Sequence, residues 1–462
     1  MFGGSFAEVG SVCSGSALLI SGSGVRFSAG PLSGSTTCAA LAPLPPLKVT
    51  SRSPSCVAGS QPQHRQDTIP IPSEEVVTAT TRDVSKVNWV TTLFLLSTPL
   101  VAVVWGVAHI RSVGVSPVEI AAFALYVCAT GFSITIGYHR LFAHRSYECS
   151  RIVKILYLLF GAAAFQHSVI SWCSDHRRHH KHIDEDDDPY NIQRGFLWAH
   201  IGWLLVMEHK EKEDHSNVHD LMADPWIRFQ HRFYVPLAVL MGFGVPFVFG
   251  WAVGNPWGCV LWAGIFRVVL VHHSTFLVNS LAHTLGRRPY TLAVSARDSA
   301  VTALLTFGEG YHNFHHRFAA DYRNGVARAA WDPSKWLIGT LERLGLAWNL
   351  RRVPRERIVA AQLACDSERL IARVAGRSEN TRNFLRERLI EVSARVERAA
   401  SRLGTVEREF ASARVQWGRS RRARVKQLRA ELRSSRLEMR AARLRWRTVL
   451  AGLLSGSTAL PA

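Results

Sequence analysis

Residues 117–144 read PVEIAAFALYVCATGFSITIGYHRLFAH: a largely apolar run, Pro117 to Tyr138, that leads straight into a histidine pair, His139 and His144. About twenty apolar residues, rising roughly 1.5 Å each in a helix, match the hydrocarbon core of a bilayer. The stretch therefore predicts a membrane span with candidate metal ligands at one end. Working outward, Trp89–Ile110 precedes it across a short link that contains Arg111 and Ser112. Phe233–Gly254 and Trp257–Ser280 follow, separated by Asn255 and Pro256. Four spans put the N-terminus, residues 139–232 and everything after 281 on one side. That side carries Arg140, Arg145, Arg151 and Lys154, which makes it cytoplasmic by the excess of basic residues in cytoplasmic segments. A shorter block, Ile152–Ile170, is interrupted by Gly161, Gln166 and His167, and reads as an interfacial or re-entrant helix. The expected fold is an all-α membrane protein: four transmembrane helices under a cytosolic helical cap that bears a histidine-rich site for two metal ions, with a coiled-coil-like helix at the C-terminus.

The chain has 462 residues, 47% of them hydrophobic and 19% charged. That balance excludes a wholly disordered or collagen-like chain, and the eight cysteines form no CxxC pair that would mark a zinc ribbon or a small disulfide scaffold. They read as reduced thiols. Residues 1–85 open with a Ser/Gly-rich, acid-poor stretch and read as a disordered leader suited to a targeting segment. Residues 86–350 form the membrane domain. The tail, 351–462, holds most of the formal charge of +20, since Arg351–Leu450 carries 27 Lys/Arg against 11 Asp/Glu. In it Leu385, Leu389, Val392, Val396, Ala399, Leu403, Val406, Phe410, Ala413 and Trp417 recur at alternating steps of four and three. This heptad seam predicts either self-association through a coiled coil or an amphipathic helix folded back on the domain. The tail's basic face suits anionic lipid. Nucleic acid is not expected, because no base-reading motif accompanies the charge.

Three histidine clusters carry the chemistry: His139/His144, His176-Arg-Arg-His179-His180, and His312-Asn-Phe-His315-His316. On a helix, positions i, i+3 and i+4 share a face, so each HxxHH is expected to aim three imidazoles at one point. Neutral imidazole suits first-row metals such as iron. Two triplets, a pair and one more histidine would supply two ions and leave room for dioxygen. The alternative for any single histidine is a satisfied core or surface residue. The carboxylate-based di-iron pattern of soluble bundles does not fit, because it needs two Glu-x-x-His motifs and the chain offers Glu309-Gly-Tyr-His312.

At GYHRLFAHRSY (137–147), SDHRRHHKHIDEDDDPYN (174–191), NSLAHTLGRRPY (279–290) and GEGYHNFHHRFAADYRNG (308–325) the chain resembles the membrane fatty-acid desaturases, in the acyl-CoA Δ9 (stearoyl-CoA) branch with a bacterial-like core. The resemblance covers about 88–350. It implies two iron ions held by His139, His144, His176, His179, His180, His283, His312, His315 and His316, with Asn279 reaching one metal through water. Spacing alone does not choose His283 over His182, His200, His272 or His273; that choice comes from the resemblance, and His182, His200 and His209 are expected to stay structural or solvated. The implied reaction is dioxygen-dependent introduction of a cis double bond into a saturated acyl chain, in unsaturated fatty acid biosynthesis.

An alkyl chain offers no hydrogen-bond handle, so regioselectivity must come from an apolar tunnel measured from the head group. Gln166 and Trp172 match tunnel positions in the family, and Asp175 matches a head-group contact; core packing for Trp172 and support of a histidine for Asp175 are the plainer readings. Ser174, His167 and Met207-Glu208 depart from the animal pattern near the coenzyme A phosphates. Coenzyme A remains the first carrier, with acyl carrier protein or an intact lipid behind it. No His-Pro-Gly-Gly haem stretch occurs, so the electron donor is expected to be separate: cytochrome b5 in the endoplasmic reticulum or ferredoxin in a plastid. The alternatives to a desaturase are a di-iron lipid hydroxylase on the same scaffold and a non-catalytic membrane scaffold.

Overall fold

The computed structural model describes residues 86–206, 215–415 and 421–455. The leader over 1–85, the Met207-Glu208 pair, His209 and Trp417 lie outside them. In chain order the main helices of the membrane domain are α1 (Trp89–Ser112), α2 (Pro117–Ala143), α3 (Arg151–Ala163), α4 (Val169–Lys181), α5 (Pro225–Arg232), α6 (Tyr234–Ala252), α7 (Pro256–Thr284), α8 (Ala300–Leu305), α9 (His312–Arg317) and α10 (Pro333–Arg343). Helices α1, α2, α6 and α7 are long and apolar enough to cross a membrane. Half of the apolar windows of α2 and α7 is buried, against 22% for α1 and α6, so α2 and α7 form the inner pair. Val90, Leu93, Leu96 and Leu100 of α1, with Val235, Val248 and Trp251 of α6, are exposed; apolar surface of this extent belongs against lipid.

Helix α2 runs past Tyr138, so His139 lies in its last turns rather than after it. Its end, Ser133–Ala143, winds as a π-helix, and the His144 amide donates to the His139 carbonyl at 3.1 Å. Five residues at about 100° each would turn His144 roughly 140° away from His139 in an α-helix. The wider i→i+5 turn brings the two rings back to one side, with centroids 4.8 Å apart. This local winding is what makes the HxxxxH spacing usable.

The block 152–170 is two helices. Gly161, read from the sequence as an interruption, sits inside α3, where the Tyr138 ring occupies the space of a Cβ; Gly137 meets Tyr157 in the same way across the contact. The real break is the elbow between α3 and α4, where Phe165 and His167 take φ of 56° and 69°, a backbone region costly for residues with a Cβ. Ser168 then caps α4. At the opposite end of the bundle the short turns between spans are tied together. Glu119 Oε1 lies 2.7 Å from His109 Nε2 and accepts from Asn255 Nδ2 at 2.8 Å, while Glu119 Oε2 accepts from the Ser116 amide at 2.6 Å.

A two-residue antiparallel ladder, β1 (Glu148–Cys149) with β2 (Ala347–Trp348), closes the membrane domain. The tail folds as α11 (Arg355–Arg373), α12 (Glu379–Val415) and α13 (Arg421–Ser455). Ion pairs Arg402–Glu438 and Arg424–Glu409 set α12 and α13 antiparallel. Leu385, Leu389, Val396, Ala399, Leu403 and Val406 are buried against Leu432, Met439 and Trp446 of α13 and Val359, Leu363 and Leu370 of α11. The described part of the heptad seam is thus filled by two other helices of the tail, rather than by the membrane domain that the fold-back reading named.

The α2–α3 contact is testable. Gly161→Val forces a branched side chain into the Tyr138 ring and is expected to cost about 1–3 kcal/mol, read as a lowered thermal-unfolding midpoint of the detergent-purified chain; an unchanged midpoint would contradict this packing.

Candidate metal centre

The nine histidines named above meet in two groups. His139, His144, His176, His180 and His315 form the first, and His179, His283, His312 and His316 the second, with ligand atoms within 4.8 Å of one another in each. All lie at one end of the bundle, supplied by the ends of α2 and α7 together with α4 and α9. Each HxxHH divides between the groups: His176 and His180 join the first and His179 the second, whereas His312 and His316 join the second and His315 the first. The expectation that each triplet aims at one point is corrected. Helical winding explains why, since i and i+4 differ by about 40° while i+3 and i+4 differ by about 100°. One short helix can therefore serve two ions.

The spacing of the nitrogens fits coordination. Nε2 atoms lie 3.0 Å apart for His139 and His315, 2.8 Å for His144 and His176, 3.0 Å for His315 and His180, and 3.0 Å for His316 and His312. Atoms bound about 2.1 Å from a common ion sit roughly 3.0–3.4 Å apart at octahedral to tetrahedral angles. His283 Nε2 is buried with no hydrogen-bond partner. Such an atom is costly unless something coordinates it. Burial first, then the neighbouring imidazoles, hold His144, His176, His180, His312, His315 and His316 well below the ordinary histidine range. They are kept in the neutral form that binds metal. The residues present fit a metal centre.

The opposite ring nitrogens of several are anchored by groups to which the sequence reading gave no such role. His139 Nδ1 meets Glu309 Oε2 at 3.0 Å, and His179 Nδ1 meets both Asp188 oxygens at 2.9 Å. His283 Nδ1 lies 2.7 Å from Ser295 Oγ, which donates to Asp184 Oδ1 at 2.6 Å. Tyr190 OH is 3.4 Å from His176 Nδ1. Such partners fix ring orientation and raise ligand basicity. Within the acidic run 184–188, Asp184 and Asp188 turn inward while Glu185, Asp186 and Asp187 are exposed, and an i, i+4 acid pair just beyond a ligand helix was the available signal.

Arg140, next to His139, is buried between carboxylates. Its guanidinium donates to Glu309 Oε1 at 2.9 and 3.2 Å, to Asp332 at 3.1 and 3.3 Å, and to the Tyr322 carbonyl at 2.8 Å. Burial opposes ionisation of Glu309, but Arg140 and His139 overcome it and hold the carboxyl down to about 2. It is charged at any working pH.

Gln166, Trp172, Asp175 and Asn279 come to the same place. All four line a cavity of about 460 Å³ that His139, His176, His179, His312 and Glu309 also line. Val90, Phe94, Ile134, Phe165, Phe243, Val271 and Phe307 supply apolar wall. Trp172 stacks on His176 at 5.0 Å, and Gln166 Nε2 donates to Thr275 Oγ1 at 2.9 Å. Asn279 sits one helical turn before His283. Asp175 lines the cavity on a partly exposed stretch, with Arg178 at 3.7 Å. The residues Ser174 and His167, noted for their departure from the animal pattern, are bound locally, Ser174 Oγ to Asn217 Oδ1 at 2.9 Å and the His167 amide to Tyr234 OH at 3.0 Å. His182 pairs with Glu185, His200 with His273, and His272 with the Ala164 carbonyl. Geometry therefore makes the choice that spacing left open, and it selects His283.

Asp188→Asn keeps the shape but removes the charge behind His179. Metal affinity of the second group is expected to fall about 10–100-fold, measured by competition with a chelator, while the helical circular dichroism signal stays unchanged.

Comparison with known proteins gives the same reading. Residues 118–332 match the family described as Fatty acid desaturase. The chain is 40% identical over 275 residues to a probable acyl-CoA desaturase of Schizosaccharomyces pombe, covering 59% of this chain and 56% of that protein. It is 40% identical over 245 residues to stearoyl-CoA desaturase 5 of Bos taurus, covering 51% and 72% respectively. With the Delta(9)-fatty-acid desaturase fat-7 of Caenorhabditis elegans it shares 38% over 248 residues, covering 53% and 73%. The chain thus spans little more than half the length of its Schizosaccharomyces pombe relative and nearly three-quarters of the two animal proteins. It belongs to the fatty acid desaturase family.

Proposed function

We propose that this chain is a dioxygen-dependent acyl-CoA Δ9 desaturase that places a cis double bond in a long saturated acyl chain. The observation that carries the reading is two histidine groups, nine imidazoles in all, of which His139, His176, His179 and His312 line an apolar cavity. Two irons bound by these groups would supply activated dioxygen able to remove hydrogen from unactivated carbon. The chain's own residues do the rest. A cavity of about 460 Å³ falls in the range of ligand sites, and its aliphatic and aromatic walls select an alkyl chain by burial and shape. Trp172, stacked on His176, and Gln166, tied to Thr275, shape the wall beside the histidines, which places the methylenes presented to them. Asn279 stands beside the second group, where a water would bridge it to a metal. Asp175 lies where the cavity nears the surface, in position to meet a polar head group.

The stearoyl-CoA and acyl-CoA names of the relatives favour a coenzyme A thioester over acyl carrier protein or an intact lipid. Two electrons and two protons must arrive from outside, so that dioxygen leaves as two waters. A separate donor supplies the electrons: cytochrome b5 if the chain works in the endoplasmic reticulum, which we favour, or ferredoxin if in a plastid membrane.

Expression of the full chain with a compatible donor in a host lacking its own acyl desaturase is expected to yield chains with a cis double bond between the ninth and tenth carbons, together with about two irons per purified chain. His315→Ala should abolish the product. Saturated chains persisting despite correct insertion would overturn the assignment, and a gain of oxygen in place of a loss of hydrogen would make the chain a hydroxylase. Trp172→Ala, by widening the wall, is expected to spread the double bond over neighbouring positions without lowering the iron content.

A further inference from the structure

The segment 285–299, between α7 and α8, supports the second histidine group. Its Ser295 holds His283 Nδ1. The Tyr290 amide donates to Asn313 Oδ1 at 2.8 Å, and Asn313 Nδ2 donates to the Thr291 and Ala296 carbonyls at 2.9 Å each. The Arg297 carbonyl accepts from the His312 amide at 3.2 Å, and the Tyr290 ring packs edge-on against Phe314 at 5.2 Å. Both His283 and the helix that carries His312 and His316, together with His315 of the first group, are thus set by this segment. The other four histidines of the first group lie on other elements, with Glu309 behind His139 and Tyr190 beside His176.

The tail rests on the same segment. From α11, Cys365 Sγ donates to the Arg288 carbonyl at 3.1 Å, and Arg369 donates to that carbonyl as well. Gln362 lies beside the Tyr290 side chain and accepts from Arg443 of α13 at 3.1 Å. Trp446 of α13 donates to Asp366 at 3.3 Å. Helix α11 is itself locked into the tail by Val359, Leu363 and Leu370. A continuous path runs from the tail's core through α11 and the Arg288–Tyr290 backbone to three ligands of one metal.

We propose that the C-terminal helices brace the second metal half-site, with Gln362 and Arg369 as positioning residues that keep the 285–299 segment, and through it His283 and His312, in coordinating geometry. This rests on the two-metal reading above. The tail becomes part of the metal-holding machinery rather than an appendage, although it contributes no ligand.

The test is release of iron from the full-length, metal-loaded chain to a ferrous chelator, followed by absorbance. The release phase of the second site is identified by His283→Ala, which should lack it. The double variant Gln362→Ala, Arg369→Ala is expected to release that ion about tenfold faster while the other ion, with four of its five histidines held elsewhere, is accelerated less. Arg369→Lys, which keeps a donor for the Arg288 carbonyl, should restore most of the parent rate. Arg424→Ala, at the exposed α12–α13 pair with Glu409, should leave both phases unchanged. Parent-like release from the double variant, equal acceleration of both ions, or acceleration in Arg424→Ala would overturn the brace. A parent chain that holds no metal would overturn the two-metal reading itself.

Discussion

A guanidinium buried beside the clustered histidines joins the membrane helices of this protein to the segment that follows α8. Arg140 leaves the last turns of α2 and is met by Glu309, Asp332 and a backbone carbonyl, all from the segment that follows α8. Isolated, such a charge would be costly to bury; surrounded by carboxylates and a carbonyl it is satisfied, and removing one partner strands the others. Glu309 also touches His139, so the same carboxylate fixes an imidazole and neutralises the cation. Asp332 accepts from the Asn324, Gly325 and Lys335 amides as well. The end of a transmembrane helix and a folded loop thus share one electrostatic knot, and the first histidine group is assembled on it.

Around that knot, desolvation works in favour of function. Imidazoles crowded in a dry site lose their protons, because charge is disfavoured there and each neighbour raises the cost. The cluster is repulsive when charged and metal-ready when neutral. The carboxylates are kept one step back, on the far nitrogens of the rings: Glu309 on His139, Asp188 on His179, and Asp184 through Ser295 on His283. They supply negative charge without occupying coordination positions.

Much of this was legible in the sequence, because bilayer thickness and helical periodicity are one-dimensional constraints. The four spans agree with their apolar runs to within a few residues, apart from the ends of α2 and α7 that continue into the histidines. Eight ligand positions stood out by clustering. His283 did not, since a lone histidine after a span looks the same as His272 or His273 until the chain is folded. The division of each HxxHH between two groups was missed because sharing a face was taken to mean sharing an ion. The π-winding at His139 and the left-handed elbow at Phe165 and His167 depend on tertiary packing against Tyr157, Tyr138 and the spans, and no local propensity announces them. Nor does the seam of α12 say which partner will fill it; in the fold, α11 and α13 do.

The knot of His109, Glu119 and Asn255 at the far end has a consequence for traffic. It cinches the turns between both pairs of spans, and the cavity draws its walls from the other half of the bundle, with no lining residue between Leu95 and Gly131 or between Phe243 and Val271. A flexible ligand lying along these walls stops short of the knot, so on the proposed function the depth of the cavity sets how much of an alkyl chain fits beyond the histidines.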